Sequence, residues 1–270
     1  IVYQQAMQLG VSKRDPIHTF RFNAIDRWIA PLQFLAEEVK SKTRFSPNKI
    51  HVIPLAIDIV AFENGVGDRN ACRKKFGLDQ ESIWIGIAGR IDRLKGQHLA
   101  IEALARLASD FPNVKVVIAG EPTRGEPTDY ADSLRNMVDT LQLDSKVLFL
   151  PFTQEVSSFY TAIDICAMTS VGETFGMVTI EAMMCGCAVV GTNSSGTPEL
   201  LHHGELGLLF EPGSSEGLES ALRKLIENPD LRHRLGSKAK SFAQQQFSHL
   251  LVCRRIAQDV LGPMGLKSTE

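Results

Sequence analysis

Two segments of the chain carry side chains suited to holding a phosphate ester. The first, residues 89–96, has the sequence Gly-Arg-Ile-Asp-Arg-Leu-Lys-Gly. Its Arg90 offers a planar fork of N–H groups and its Lys95 a compact positive charge, while the glycines allow the backbone to approach a ligand closely. These features predict a diphosphate site, although a solvated loop with incidental charges explains this octapeptide equally well. The segment matches neither the Walker A loop nor the dinucleotide-binding fingerprint.

The second segment, residues 170–183, contains a predicted helix start. The helix is expected to begin near Gly176, which leaves the backbone N–H groups of Gly176, Met177 and Val178 without partners inside the helix. The positive end of the helix dipole lies at the same place and favours an anion. The segment therefore predicts a second set of contacts to a phosphate.

Two carboxylates flank this helix start. Glu173 precedes it and Glu181 lies eight positions later, inside the helix. Acids beside a phosphate are repulsive unless they accept hydrogen bonds from hydroxyl groups, so the pair favours a sugar phosphate as the ligand. The alternative is that Glu173 helps to cap the helix and Glu181 forms a surface ion pair.

A third segment, residues 190–200, combines small residues with a helix start at Thr197-Pro198-Glu199. An N-cap residue, a proline and an acid in the first turn are typical of such a start. The segment could touch the ligand, but we expect it to pack against the second segment.

The composition narrows the class of protein. The chain has 270 residues, 44% of them hydrophobic and 22% charged, with a net charge of -2. These values are ordinary for a soluble α/β protein and give no reason to expect a nucleic-acid partner. Five scattered cysteines make a disulfide framework improbable, and the spacing of Cys185 and Cys187 is too short for the usual zinc pair. We therefore expect no metal site.

Short apolar runs alternate with helical patterns along the chain, which predicts a doubly wound α/β fold with a parallel sheet. Ligands bind such sheets at the carboxyl ends of the strands. The predicted strands are residues 27–30, 50–53, 83–88, 114–119, 147–150, 165–168, 188–190 and 207–210. The predicted helices are residues 32–43, 97–109, 132–141 and 178–185, followed by a helical tail after Ser214.

Four regions are expected from this pattern. Residues 1–58 form a partial Rossmann-like lobe, residues 59–80 a polar, glycine-containing linker, residues 81–246 a six-stranded domain, and residues 247–270 a C-terminal helix that returns to the first lobe. The chain opens on Ile-Val-Tyr, which is typical of a strand interior, so we expect an N-terminally truncated protein. With no signal peptide and no apolar run of membrane-spanning length, a cytoplasmic location is expected, with at most peripheral association at the inner membrane.

Taken together, the motifs resemble those of family 4 glycosyltransferases, retaining enzymes of the GT-B fold. The resemblance covers residues 50–262. The matching motifs are Gly-Arg-x4-Lys-Gly at 89–96, Val-Val-Ile-Ala-Gly at 116–120, Val-Leu-Phe-Leu-Pro-Phe at 147–152, Glu-x-Phe-Gly-x4-Glu-Ala-Met at 173–183, Cys-Gly-Cys-Ala-Val-Val at 185–190 and Gly-Leu-Leu-Phe at 207–210.

The resemblance implies a role for each matching residue. Arg90, Lys95 and Glu173 would be catalytic, because the two cations stabilise the leaving nucleoside diphosphate without a metal and Glu173 binds the hydroxyls of the transferred sugar. Glu181 would bind the ribose. The other residues that would bind the nucleotide sugar are Gly89, Pro151, Phe152, Phe175, Gly176, Met177 and Val178.

The implied activity is transfer of a sugar from a UDP- or GDP-sugar to an unknown glycan, lipid or small-molecule acceptor, with no cofactor. The chain departs from the family at Thr174, where proline is frequent, and at Glu121, where a second glycine often follows Gly120. Most of the acceptor-binding half is also missing, so we expect this chain alone to be inactive. The alternatives are a noncatalytic nucleotide-sugar-binding module and a nucleotide-sugar 2-epimerase of the same shape.

Overall fold

The computed structural model describes residues 1–122 and 129–264. The chain divides into two compact units. The smaller unit comprises Ile1–Ile59 together with Gln244–Glu270, and the larger unit comprises Val60–Ala243. The strands are β1 (Val2–Gln4), β2 (Arg27–Ala30), β3 (Ile50–Val52), β4 (Ile83–Ala88), β5 (Val114–Ala119), β6 (Val147–Leu150), β7 (Ile165–Met168), β8 (Ala188–Thr192) and β9 (Leu208–Phe210). The α-helices are α1 (Pro16–Asn23), α2 (Gln33–Lys42), α3 (Ile59–Asn64), α4 (Arg69–Lys75), α5 (Gln97–Leu107), α6 (Asp129–Thr140), α7 (Val156–Ala162), α8 (Met177–Met184), α9 (Thr197–Leu200), α10 (Ser215–Glu227), α11 (Pro229–Gln246) and α12 (His249–Arg255). Short 3-10 turns lie at Pro47–Lys49, Arg93–Lys95, His202–Gly204 and Gly262–Met264, and a π-helical turn at Ile256–Leu261.

The strands of the larger unit form a parallel sheet in the order β6-β5-β4-β7-β8-β9. The chain builds one half outward from β4 and the other half outward from β7, so the direction of winding reverses between these two neighbouring strands. Such a reversal opens a crevice at the carboxyl ends of the strands, where α/β proteins bind their ligands. The first and second charged segments follow β4 and β7, and therefore both leave the sheet at this crevice.

Helices cover both faces of this sheet, as the continuous apolar strands predict. On one face, Ile85 and Ile87 of β4 belong to a buried cluster that includes Leu104 of α5 and Leu222 of α10. Successive strand residues point to opposite faces, so Gly86 faces the other side. There, a Cβ atom on Gly86 would lie 3.3 Å from Cζ of Phe159 in α7. The parallel, doubly wound α/β architecture expected from the sequence is thus confirmed.

The smaller unit contains a parallel sheet in the order β1-β2-β3. Val252 and Val260, near the C-terminal end, are buried in one cluster with Ile29 and Ile53 of the sheet region. A hydrogen bond from Nη2 of Arg255 to the Val52 carbonyl oxygen, 2.8 Å long, adds to this contact. The C-terminal helix therefore packs on the sheet formed by the N-terminal residues.

Residues 59–80 were expected to form a linker, but they carry the short helices α3 and α4. The Asp68 side chain caps α4 by accepting a hydrogen bond from the Ala71 N–H, 3.0 Å long. On the same helix, Arg73 is only 4% exposed and donates to the Ala162 carbonyl oxygen and to Asp164, 3.0 and 2.7 Å away. Because both partners lie about ninety residues further along the chain, the local sequence gives no sign that Arg73 is buried.

The other differences are short helices that the pattern does not predict and small shifts in the ends of elements. Helices α1 and α7 were not predicted, and the strand predicted at 188–190 extends to Thr192. The N-terminus of α1 is capped by Asp15, whose side chain accepts hydrogen bonds from the N–H groups of Ile17 and His18. In the part of the chain that the structure describes, no helix combines the length and the apolar character that crossing a bilayer requires.

Candidate functional site

A cavity of about 460 Å³ opens at the carboxyl edge of the large sheet. Gly89 and Arg90, which follow β4, line it together with Val178 and Glu181 of α8 and with Phe152, which follows β6. Arg90 and Glu181 belong to different charged segments, ninety-one positions apart in the sequence. The structure therefore brings the two segments to one crevice, as their place after neighbouring strands predicts.

Close backbone contacts shape the Arg90 side of the cavity. Gly120, which follows β5, has a φ of +155°, and a Cβ atom there would lie 1.9 Å from the Gly89 carbonyl oxygen. The loops that follow β4 and β5 therefore meet at a distance that only glycine allows. The buried side chain of Gln97 also holds the loop after β4, since its Nε2 donates to the Arg90 carbonyl oxygen at 2.7 Å.

Lys95 and Glu173, both predicted to be catalytic, form an ion pair. The Nζ atom of Lys95 lies 2.7 Å from Oε2 of Glu173, and the two side chains are only 28% and 17% exposed. Lys95 lines a small cavity of about 10 Å³, and two of the residues that line it, Ala88 and Val178, also line the large one. The pair therefore lies beside the large cavity rather than in its lining.

The start of α8 has the geometry of an anion site. Gly176 precedes the helix in the left-handed region, with a φ of 88°, and as a glycine it supplies no side-chain cap. The first N–H groups of α8 are those of Met177 and Val178, and Val178 lines the cavity. Phe175, before the turn, is buried and anchors the loop. Like Phe175, Gly176 and Met177 lie next to the cavity without lining it.

Glu181 is mostly buried at the cavity wall, and burial raises the pKa of its carboxyl group. A carboxylate in such a place is stabilised by hydrogen bonds from ligand hydroxyl groups. Phe152 also lines the cavity and exposes 65% of its surface, so its ring is accessible to a ligand. Its neighbour Pro151 is exposed but does not line the cavity.

The third segment packs against the second. The Gly196 N–H donates to the Glu173 carbonyl oxygen at 3.1 Å, and the Thr192 hydroxyl donates to the Ser170 carbonyl oxygen at 2.6 Å. The Thr197 side chain is fully buried. These bonds hold the backbone at Ser170 and at Glu173 itself.

Part of the cavity wall consists of residues that the sequence does not predict to be in the site. The residues concerned end or follow β5, follow β6 or belong to α7: Ala119, Gly120, Glu121, Pro122, Thr153, Val156 and Phe159. One signal was available, because Gly120 directly follows a predicted buried strand and such glycines often permit a close backbone approach. Nothing in the local sequence marks Val156 or Phe159.

Comparisons with known proteins show which family the chain resembles in sequence. A family model described as glycosyl transferases group 1 matches residues 68–242. The D-inositol 3-phosphate glycosyltransferase of Rhodococcus jostii (strain RHA1) is 30% identical over 223 residues, which are 81% of this chain and 49% of that protein. The protein of the same name from Stackebrandtia nassauensis is 31% identical over 237 residues, which are 85% and 52%. The chain thus spans about half the length of these relatives.

Solved structures show the same likeness. HepE of Anabaena in complex with UDP matches with a TM-score of 0.84 at 27% identity, over 97% of this chain and 72% of HepE. The C-terminal domain of the group 1 glycosyl transferase LpcC from Francisella tularensis matches with a TM-score of 0.65 at 29% identity, over 72% of this chain and 99% of that domain. The fold is of the GT-B type, as in HepE. Since the family model covers more than half of the chain, the chain belongs to the group 1 glycosyltransferases, as the resemblance to family 4 indicated.

Proposed function

We propose that this chain provides the site for the sugar nucleotide in an enzyme that transfers a sugar from a nucleoside diphosphate sugar, with retention and without a metal. The observation that carries the proposal is the cavity that places Arg90 and Glu181 together at the carboxyl edge of the sheet. A cation and a mostly buried carboxylate in one crevice suit a ligand with a phosphate at one end and hydroxyl groups at the other.

The proposed roles follow from charge. Arg90 and Lys95 stabilise the negative charge that develops on the diphosphate as the glycosidic bond breaks, and the N–H groups at the start of α8 support the same phosphates. Glu173 accepts hydrogen bonds from the sugar and Glu181 from the ribose. The base lies beside Pro151 and Phe152. Two preorganised cations in this place replace the charge that a metal would supply.

Uridine is the base we propose first. The similar Anabaena protein HepE has been solved in complex with UDP and with UDP-glucose, at 27% and 26% identity to this chain. Guanosine is the alternative. No residue described above selects an acceptor.

Titration calorimetry with UDP, GDP and ADP tests the binding site. We expect UDP to bind to the wild-type chain, and Arg90→Ala to weaken binding about tenfold or more, since a charge-assisted contact contributes roughly 1.5–3 kcal/mol. The matched control is Arg93→Ala, because Arg93 lies in the same loop but stacks on Tyr130, 5.3 Å from its ring centre, and does not line the cavity. Absence of binding for all three nucleotides, or equal losses in both variants, would contradict the proposal.

The raised pKa of Glu181 predicts a pH dependence for binding of the sugar nucleotide. The ionised carboxylate accepts the ribose hydroxyls, so affinity should rise with pH as Glu181 loses its proton, over a range displaced above the ordinary value of 4.5. UDP-glucose is the suitable ligand because, unlike UDP, it has no terminal phosphate that titrates near neutral pH. Calorimetry across a pH series should show this rise in the wild type and a flat, weaker profile in Glu181→Gln. An unchanged pH profile in the variant would assign the titration to another group.

A further inference from the structure

The pairing of Lys95 with Glu173 has a consequence for ligand selection, which rests on the proposed function. The ammonium and carboxylate groups lie 2.7 Å apart in a partly buried place, so each largely neutralises the other's charge when no ligand is bound. A diphosphate that needs the Lys95 cation therefore approaches a site in which that cation already has an anionic partner.

A nucleoside diphosphate and its sugar ester interact differently with the Glu173 carboxylate. A free nucleoside diphosphate brings an additional ionisable oxygen on its terminal phosphate and offers no hydroxyl group to Glu173. Binding it leaves the Glu173 carboxylate next to a phosphate anion, which is repulsive. The sugar ester carries less charge, and its sugar hydroxyls donate hydrogen bonds to the same carboxylate, so Lys95 and Glu173 each exchange their mutual contact for a contact to the ligand.

The position of Glu173 supports such an exchange. Its backbone carbonyl oxygen accepts from the Gly196 N–H at 3.1 Å, and the Lys95 carbonyl oxygen accepts from the Thr169 hydroxyl at 2.6 Å. Both backbones are thus held in place independently of the ion pair. The two side chains can separate when a ligand enters, while the backbone of each residue stays fixed beside the cavity.

We propose that the Lys95–Glu173 pair discriminates between the sugar nucleotide and the spent nucleoside diphosphate, so that Glu173 weakens binding of the product and favours its release. The role differs from simple sugar binding because it predicts opposite effects on two ligands. Removing the carboxylate should free Lys95 for the diphosphate and strengthen UDP binding, while the loss of the sugar contact weakens UDP-glucose binding.

The test measures the Kd of UDP and of UDP-glucose by titration calorimetry for the wild type and Glu173→Gln. Glutamine keeps the shape of the side chain and its backbone bond to Gly196, and a thermal melt checks that it folds. We expect UDP to bind about fivefold to tenfold more tightly to the variant and UDP-glucose to bind more weakly, a scale typical of coupling between sites. The control Glu205→Gln also breaks a Glu–Lys ion pair, with the exposed Lys238, and should change neither affinity.

A double-mutant cycle separates the effect of the pair from direct repulsion. In a Lys95→Met background, the strengthening of UDP binding by Glu173→Gln should shrink, because no cation remains to be released. Affinities for both ligands that move in the same direction by the same factor would overturn the inference and leave the proposed function intact. A wild-type chain that binds neither ligand would overturn the proposed function itself.

Discussion

Lys95→Ala is expected to lower the kcat of sugar transfer by roughly two orders of magnitude or more, the scale of deleting one preorganised electrostatic contact. The loss should appear in kcat because the negative charge on the leaving diphosphate grows as the bond to the sugar breaks, so the missing cation matters most in the transition state. Arg90 would remain as the cation lining the cavity. Release of UDP from UDP-glucose by the active enzyme, followed under saturating substrate, gives the measurement.

Arg93→Ala is the matched control for this result. It also removes a cation from the same loop, but the Arg93 side chain stacks on Tyr130.

Added EDTA should leave the wild-type rate nearly unchanged, because the proposed mechanism assigns charge stabilisation to the two basic side chains. Full activity in Lys95→Ala, or complete loss of wild-type activity with EDTA, would refute this mechanism.

Asp164→Ala is expected to lower the free energy of unfolding by about 3–5 kcal/mol, the cost of leaving a buried charge without its partner. The Asp164 carboxylate, 14% exposed, binds the Arg73 guanidinium, 5% exposed, and accepts the Trp84 backbone N–H at 2.8 Å. Its removal leaves Arg73 charged in a place where burial already lowers the pKa of its guanidinium. Urea denaturation followed by circular dichroism measures the change.

Arg69→Ala provides the comparison for Asp164→Ala. Arg69 binds the other oxygen of the same carboxylate at 2.6 Å, but its side chain is 43% exposed. Exposed ion pairs contribute about 1 kcal/mol or less, so this variant should lose much less stability. Equal losses in the two variants would show that burial of Arg73 is not the source of the cost.

The sequence was sufficient to predict the sheet because the information is local. The run at residues 83–88 is apolar throughout and that at 114–119 is apolar except for Lys115, as expected of strands covered on both faces, and both match the observed strands. Because parallel strands end at the same edge of a sheet, the pattern also predicts residues 89–96 and 170–183 at that edge. That they share one crevice follows from the pairing of β4 with β7, which is a contact between distant residues.

Contacts between distant residues could not be predicted in this way. The bond between Lys95 and Glu173 joins residues 78 positions apart, and the segment around each of them has the composition of an exposed loop. The same holds for Arg73, which looks like a solvated helix residue until Ala162 and Asp164 are placed beside it. Side-chain pairing of this kind depends on the packed fold, and no periodicity in the sequence encodes it.

The division of the chain into units has a consequence for the order of events during synthesis. The N-terminal sheet buries Ile29 and Ile53 against Val252 and Val260, which a ribosome adds some two hundred residues later. The larger unit, Val60–Ala243, is complete before these residues emerge. It can therefore fold first. Once it is folded, the two parts of the smaller unit are joined by a compact domain instead of a long flexible chain, so bringing them together costs less entropy. Until Val252 and Val260 are added, Ile29 and Ile53 lack the apolar partners that bury them in the folded unit.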